Sequence, residues 1–409
     1  MTPQLTKDMT IKEILDNWPE TLDVFIANGF ENLRDEKQRN AVAPYLKLQS
    51  AVTMKHYDLD NFLALLHDQI ALSTHQADIT MKKTDHDQGD IRVAGLLPCP
   101  VRLPLLESFD TFIEEFTGKT GHKVSYKLEA ASVGADWIAD NIRGIEDADK
   151  LPDIFISAGF ETFFDHQTIG RFKDQGVFED VCVKEVNRDF DGLHIRDPKG
   201  DYSIVAAVAA VFMINHDVRG DLPIPCTWAD LLEPEFAQQV ALPVGDFDLF
   251  NAILLAVYKE HGEEGVKKLG RSMLKSMHPS QMVKNAKRVT EAKPYVTIMP
   301  YFFTKMARMV KGLEIIWPQD GAVVSPIFML TKRSTLDKTR AIAEFLSGRD
   351  VGEILAHKGL FPSLNPLVDN KLEGNHPWKW IGWDYIYQHD IGALIHDTNR
   401  IFEGGSRPY

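Results

Sequence analysis

The sequence has little that would let it grip nucleic acid, cross a bilayer or be stapled by disulfides. Its 59 Asp and Glu outnumber 45 Lys and Arg, for a formal net charge of −14. Phosphate binding needs clustered cations. The densest cationic run, Met81-Lys82-Lys83, is too short for that and reads as part of a solvated linker. A nucleic-acid partner is therefore excluded. Three cysteines, Cys99, Cys182 and Cys226, are odd in number and far apart, so neither a disulfide framework nor a CxxC knuckle can be read from them. Free thiols fit a reducing compartment. None of the 14 histidines stands in HxH or HExxH spacing, and no metal or cofactor is expected. The longest apolar run, Ile204 to Ile214, falls well short of the roughly 20 residues that span a membrane. No membrane insertion is expected, and the run reads as a strand buried on both faces. Met1 to Thr10 is polar and no apolar signal region follows, so the chain is expected in the cytoplasm.

What is there divides into parts. A chain of 409 residues, 44% hydrophobic and 25% charged, suits two or three soluble domains. Residues 1–72 form a small helical domain. Thr10-Ile11-Lys12-Glu13 is a capping box, in which hydroxyl and carboxylate satisfy the first backbone donors of a helix. Ile11, Ile14, Leu15 and Trp18 follow at helical spacing. A second helix carries Leu22, Val24, Phe25 and Ile26, with Gly29 at its left-handed cap, and a third carries Phe62, Leu63, Leu65, Leu66 and Ile70. Residues 73–90 have almost no large apolar side chains and read as a linker.

From Ile91 strands alternate with helices. Ile91 to Ala94 is a strand; Leu105, Phe109, Phe112 and Phe116 share one helix face, ended by Gly118 and Gly121. Val124, Tyr126 and Leu128 alternate as a second strand, a helix with Trp137 and Ile138 follows, and Ile154-Phe155-Ile156 is a third strand. This order implies a parallel sheet covered by helices. Two apolar runs, Ile204–Ile214 and Ala322–Leu330, are expected to cross between two lobes.

Four phrases carry a family resemblance. Phe116-Thr117-Gly118-Lys119-Thr120-Gly121-His122-Lys123-Val124 ends the first helix, and Leu151-Pro152-Asp153-Ile154-Phe155-Ile156-Ser157 forms the third strand. Ile214-Asn215 is followed by Pro225-Cys226-Thr227-Trp228-Ala229-Asp230-Leu231-Leu232, and Trp317-Pro318-Gln319-Asp320-Gly321-Ala322 enters the second crossing strand. In this order they resemble type II periplasmic-binding proteins, the solute-binding components of ABC transporters, of the iron and extracellular solute classes. The resemblance covers residues 91 to about 370. It implies an α/β, two-lobed type II fold with two hinge crossovers, lobe 1 being 91–205 with 325–409 and lobe 2 being 206–324. Residues 6–70 resemble a small helical domain of unknown function that also stands in front of iron–sulfur repair and hybrid-cluster-associated proteins. Some members carry a cysteine after the second helix. Here the stretch reads Asn28-Gly29-Phe30-Glu31-Asn32, which removes a cysteine-based metal role.

In open α/β sheets ligands sit beyond the C-terminal ends of the strands. That places Pro98 and Cys99, Ser132 and Gly134, and Ser157, Ala158 and Gly159 on the first lobe's loops. From the second lobe the resemblance points to Asp246 and Asp248, Tyr301 and Phe302, and Asp320 and Gly321. Each residue also has an ordinary reading as turn chemistry. Iron-binding cousins ligate metal through two adjacent tyrosines; Met299-Pro300-Tyr301-Phe302-Phe303 has one, so the hard-oxygen set for ferric ion is incomplete. Cys99 is either a small hydrophobe or, at a helix N-terminus, an activated thiol. The tail Trp378-Lys379-Trp380-Ile381-Gly382-Trp383-Asp384-Tyr385 either offers a stacking surface or packs a C-terminal helix on the body, the commoner use.

The expected function is reversible binding of a small-molecule or ion ligand in the interlobe cleft, with hinge closure and no catalysis. A cytoplasmic sensor or carrier fits the missing export signal. The family role implies an ABC permease as partner, and the front domain offers a surface for a protein partner. The alternatives are an enzyme using Cys99 as nucleophile with Asp246 or Asp248 as base, and an interaction protein with a vestigial cleft.

Overall fold

The computed structural model describes residues 5–18, 21–22, 25, 30, 33, 36–55, 59, 62–63, 66–67, 70, 89–97, 99–130, 142–244, 247–276, 293–307, 311–372, 374 and 376–406. The front unit begins with α1 (Ile11–Asn17), started by the expected capping box. Thr10 Oγ1 accepts from the Glu13 amide at 3.2 Å, and the Thr10 amide donates to Glu13 Oε2 at 2.7 Å. Two helices unforeseen in the sequence follow, α2 (Glu36–Val42) and α3 (Leu48–Met54). Their apolar positions are too few to show a clear period. Phe25, Phe30 and Phe62 pack ring against ring at 5.4 to 6.1 Å between centroids. Phe62, Leu66 and Ile70 are buried at helical spacing, whereas Val24, Ile26, Gly29 and Leu65 lie outside the described residues.

Among the described residues, the body is built on one sheet of ten strands. In chain order these are β1 (Ile91–Leu97), β2 (Val124–Ala130), β3 (Ile154–Ala158), β4 (Ser203–Asn215), β5 (Val240–Leu242), β6 (Met273–Ser276), β7 (Val296–Pro300), β8 (Leu313–Ile316), β9 (Ala322–Thr331) and β10 (Trp378–Lys379). The main path runs β2-β1-β3-β9-β4-β7-β5-β6. β2, β1 and β3 are mutually parallel, as are β7, β5 and β6. The two blocks are joined by β4 and β9, which run antiparallel to each other. Both are buried along their whole length, as apolar runs covered on both faces must be.

Helix α4 (Cys99–Thr120) follows β1. Leu105, Phe109 and Phe116 are buried, and Phe112 stacks on Phe345 at 4.1 Å. Gly121, at φ +76°, ends the helix and donates to the Thr117 carbonyl, while Gly118 stays inside it. The helix expected over Trp137 and Ile138 falls outside the described residues. Next come α5 (Glu161–Phe164) after β3 and α6 (Phe247–Ser272) after β5, the latter kinked at Gly262. Helices α7 (Leu336–Leu346), α8 (Arg349–Glu353), α9 (Trp383–Gln388) and α10 (Ile391–Ser406) complete the chain.

Register locates the weak point of the sheet. The β4–β9 ladder shifts between Ile204 and Ala206, and there the Ala207 amide turns to the Pro362 carbonyl. The residue opposite Ala207 is Pro326, which has no amide to donate. Ala207 and Pro326 are a non-hydrogen-bonded pair whose polar groups turn to the outer edges, so the register shift after Ile204 is the interruption of this ladder.

Candidate ligand-binding cleft

β3 descends along β9 until Ala158 faces Ile327, and Ile327 faces Ala206 of β4. β7 rises along β4 until Pro300 faces Ala210. The C-terminal ends of the two parallel blocks thus point at each other across four residues of β4, roughly 13 Å at ~3.3 Å per residue. The described residues after β1 and β3 stand on one side of this gap, and those after β5 and β7 on the other. This is where an open α/β sheet receives a ligand, here doubled.

On one flank the walls already touch. Gly159 follows β3 at φ +85° and donates its amide to the Pro326 carbonyl at 2.9 Å. A Cβ there would stand 2.5 Å from Asp248 Oδ1, so both the backbone angle and the neighbour require glycine. Asp248 is in the first turn of α6, and its carbonyl accepts from Ser325 Oγ at 3.1 Å. One turn on, the buried Asn251 donates to Glu161 Oε2 of α5 at 3.4 Å.

Aromatic rings line the other wall. Tyr301 and Phe302, directly after β7, are buried. Tyr301 meets Trp317 edge to face at 5.3 Å, and Phe302 stacks on Phe361 at 6.4 Å between centroids. Gly359 lets Phe361 and Val101 of α4 converge, since a Cβ on it would come within 2.6 Å of both. Rings from the loop after β7 thus reach the start of the helix after β1.

The residues expected to hold a ligand are placed unequally. Gly159, Asp248, Tyr301 and Phe302 come to the facing crests, and Cys99 is the first residue of α4. Ser157 and Ala158 lie within β3, paired with Phe328 and Ile327, and the Ser157 hydroxyl donates to the Ala158 carbonyl. Pro98, Ser132, Gly134 and Asp246 lie outside the described residues. Asp320 and Gly321 stand beside the start of β9, with their groups engaged in the protein. The Asp320 carboxylate accepts from the Trp228 amide at 3.2 Å and pairs with Lys379 at 3.2 Å. Gly321 lies against the backbone of Trp378 and Lys379, and its carbonyl accepts from Trp228 Nε1. Asn251, Glu161, Val101 and Phe361 were not foreseen. Asn251 alone had a signal, as a lone amide in the apolar run from Leu249 to Val257. Cys182 lies away from the crests, and burial pushes its thiol up to about 11.

This arrangement can hold a ligand between two walls. Among the described residues no group of three His, Cys, Asp or Glu is placed to hold a metal ion. None of the described helices is long and apolar enough to cross a membrane. The sequence profile of the bacterial extracellular solute-binding proteins matches residues 149–389. The chain belongs to that family. A second profile, a domain of unknown function (DUF1858), matches residues 5–63. Among solved structures, this solute-binding protein is similar to the ferric binding protein from Campylobacter jejuni. The TM-score is 0.55 at 15% identity, over 77% of this chain and 99% of that one. It is also similar to apo ferric ion-binding protein A of Pasteurella haemolytica, with TM-score 0.53, 16% identity, and 76% and 98% covered. Iron-bound HitA from Pseudomonas aeruginosa gives 0.52 at 13% identity, with 78% and 99% covered. At these identities the likeness is one of fold: a two-lobed type II binding-protein body behind a small helical unit. No functionally curated protein matches the chain.

Proposed function

We propose that this solute-binding protein holds a small solute between its two lobes and closes on it by rotation about β4 and β9. The observation that carries the reading is the register that aims both parallel blocks at one gap. The register shift after Ile204 supplies compliance where rotation would occur. The boundaries 91–205 with 325–409 for lobe 1 and 206–324 for lobe 2 follow from this pivot.

The ligand we infer is a small organic solute with an apolar or aromatic part, set against Phe302 and Phe361, rather than a free ferric ion. Several neighbours of similar fold are described as ferric-binding. In this chain Tyr301 is the one tyrosine of its loop, buried and engaged with Trp317. Hard-oxygen ligation needs several such groups. The family makes an ABC permease the natural partner. A cytoplasmic carrier or sensor role is favoured by the unpaired thiols Cys182 and Cys226, and recovery of the native protein from the periplasm would overturn it.

Native mass spectrometry of gently purified protein is the first test, since closure slows ligand release. An adduct of defined small mass is expected, and a ferric adduct would replace the organic ligand with iron. A bare mass, together with no thermal shift from any solute class, would end the binding reading.

A further inference from the structure

Residues 376–406, at the C-terminal end of lobe 1, tie that lobe to lobe 2 a third time, outside the crossing strands. The stretch 378–381, together with Trp383 at the start of α9, reaches both lobes. Toward lobe 1, Trp378 Nε1 donates to the Asp189 carbonyl at 2.7 Å, Trp380 stacks on Phe160, and Trp383 Nε1 donates to the Ile195 carbonyl at 2.7 Å. Toward lobe 2, Lys379 holds the Glu260 carboxylate at 2.7 and 2.8 Å, and the Ile381 carbonyl accepts from Lys259 Nζ at 2.9 Å.

Helix α10 repeats the pattern at larger scale. Its 16 residues span ~24 Å. At its start Gly392 lies so close to lobe 1 that a Cβ would be 2.7 Å from the Asp165 Cα, and His396 Nε2 is 3.1 Å from the Asp165 carboxylate. At its end Gly405 lies against the backbone of Lys267, and Gly270 against that of Phe402 to Ser406, both on α6 of lobe 2. Midway, Asn399 Nδ2 donates to Asn251 Oδ1 at 2.9 Å, and Asn251 in turn donates to Glu161 of lobe 1. One buried amide thus joins lobe 1, lobe 2 and the terminal helix. A rigid rotation of one lobe against the other moves these two sets of anchors apart, because a packed helix does not stretch.

We propose that residues 376–406 are an interlobe strap that holds the two lobes in contact without ligand, so that opening is the costly motion. This rests on the hinge reading given under Proposed function. The strap makes the Asp248–Gly159 flank the resting state of the protein, and solute enters during brief opening.

The test is hydrogen exchange on the full chain without any added solute, comparing wild type with the double variant Asn399→Ala/Lys379→Ala. Both residues tie the strap to lobe 2, and neither belongs to the core of either lobe. The first turn of α6, where the Asp248 carbonyl is held by Ser325 Oγ and its carboxylate faces Gly159, is the natural reporter. Exchange over 158–161 and 247–252 should rise by about 10-fold or more in the variant, while the centres of β1 and β5 keep their protection. Unchanged exchange at the flank overturns the proposal. A rise of equal size throughout both lobes also overturns it, because the segment then serves overall stability alone. The single variant Lys379→Ala gives a milder release should the double variant unfold. Failure to find a ligand leaves this outcome untouched, and a bound ligand does not guarantee it.

Discussion

The molecule carries helical material at both ends of its α/β body, held in opposite ways. At the front, a helix start is fixed by Thr10 and Glu13, three residues apart, and three phenylalanines pack on one another. At the back, the ties to the body reach far along the chain: Trp378 to Asp189, Trp383 to Ile195, His396 to Asp165 and Asn399 to Asn251. The front is held by its own residues, whereas the terminal segment takes its shape from the surfaces it crosses. Damage to the first should stay local, and damage to the second should spread.

Three substitutions can break that contrast. The largest effect is expected from Phe62→Ala, which removes the ring shared by Phe25 and Phe30, at about 3–5 kcal/mol. Hydrogen exchange should show residues 5–70 loosened and the body unchanged; loosening of α10 as well would show that the front unit is not self-contained. Gly405→Val forces a branched side chain into the backbone of Lys267 and should cost about 1–3 kcal/mol. Its signature is lower protection in α6 and α5 together, read by the same method, and a loss confined to residues 400–406 would contradict the contrast.

The mildest change, Thr10→Ala, sharpens it. Losing the hydroxyl that accepts from the Glu13 amide should cost about 1 kcal/mol, within the front unit alone. Hydrogen bonds from the Thr10 backbone and hydroxyl hold the Glu13 carboxyl below its ordinary value of 4.5. The cap's contribution is therefore present above pH 4.5 and lost as pH falls through the lowered value. The difference between wild type and variant, measured by thermal melting, should narrow in acid; a widening gap would contradict this account.

Legibility in the sequence follows the same division. The capping box, β1 to β3 and the two apolar crossing strands could all be read directly, because each is encoded by neighbouring residues or an unbroken apolar run. Gly159 stood out in the sequence as a loop glycine after β3, and its positive φ gives a backbone reason for it. Pairings between distant segments were not legible. Asp320 read as a ligand residue because its turn matches the family phrase, yet its carboxylate is committed to Trp228 and Lys379. Phe361 meets Phe302, and Glu161 meets Asn251, only after the sheet is assembled. The terminal aromatic stretch was read as packing a helix on the body, and its residues do bind the body. That it reaches both lobes could not be seen without the register of β10 on β9.

The same aromatic stretch gives the protein an optical gauge of its own shape. Trp317, Trp378, Trp380 and Trp383 gather within 5.0 to 5.9 Å ring contacts at the seam, out of seven tryptophans in the chain. Trp380 is buried, and its indole nitrogen has no hydrogen-bond partner among the described residues. An indole in such a dry place emits toward the blue and shifts red when water reaches it. Parting of the strap from either lobe would therefore colour the intrinsic fluorescence, with no label attached, on the timescale of the motion itself.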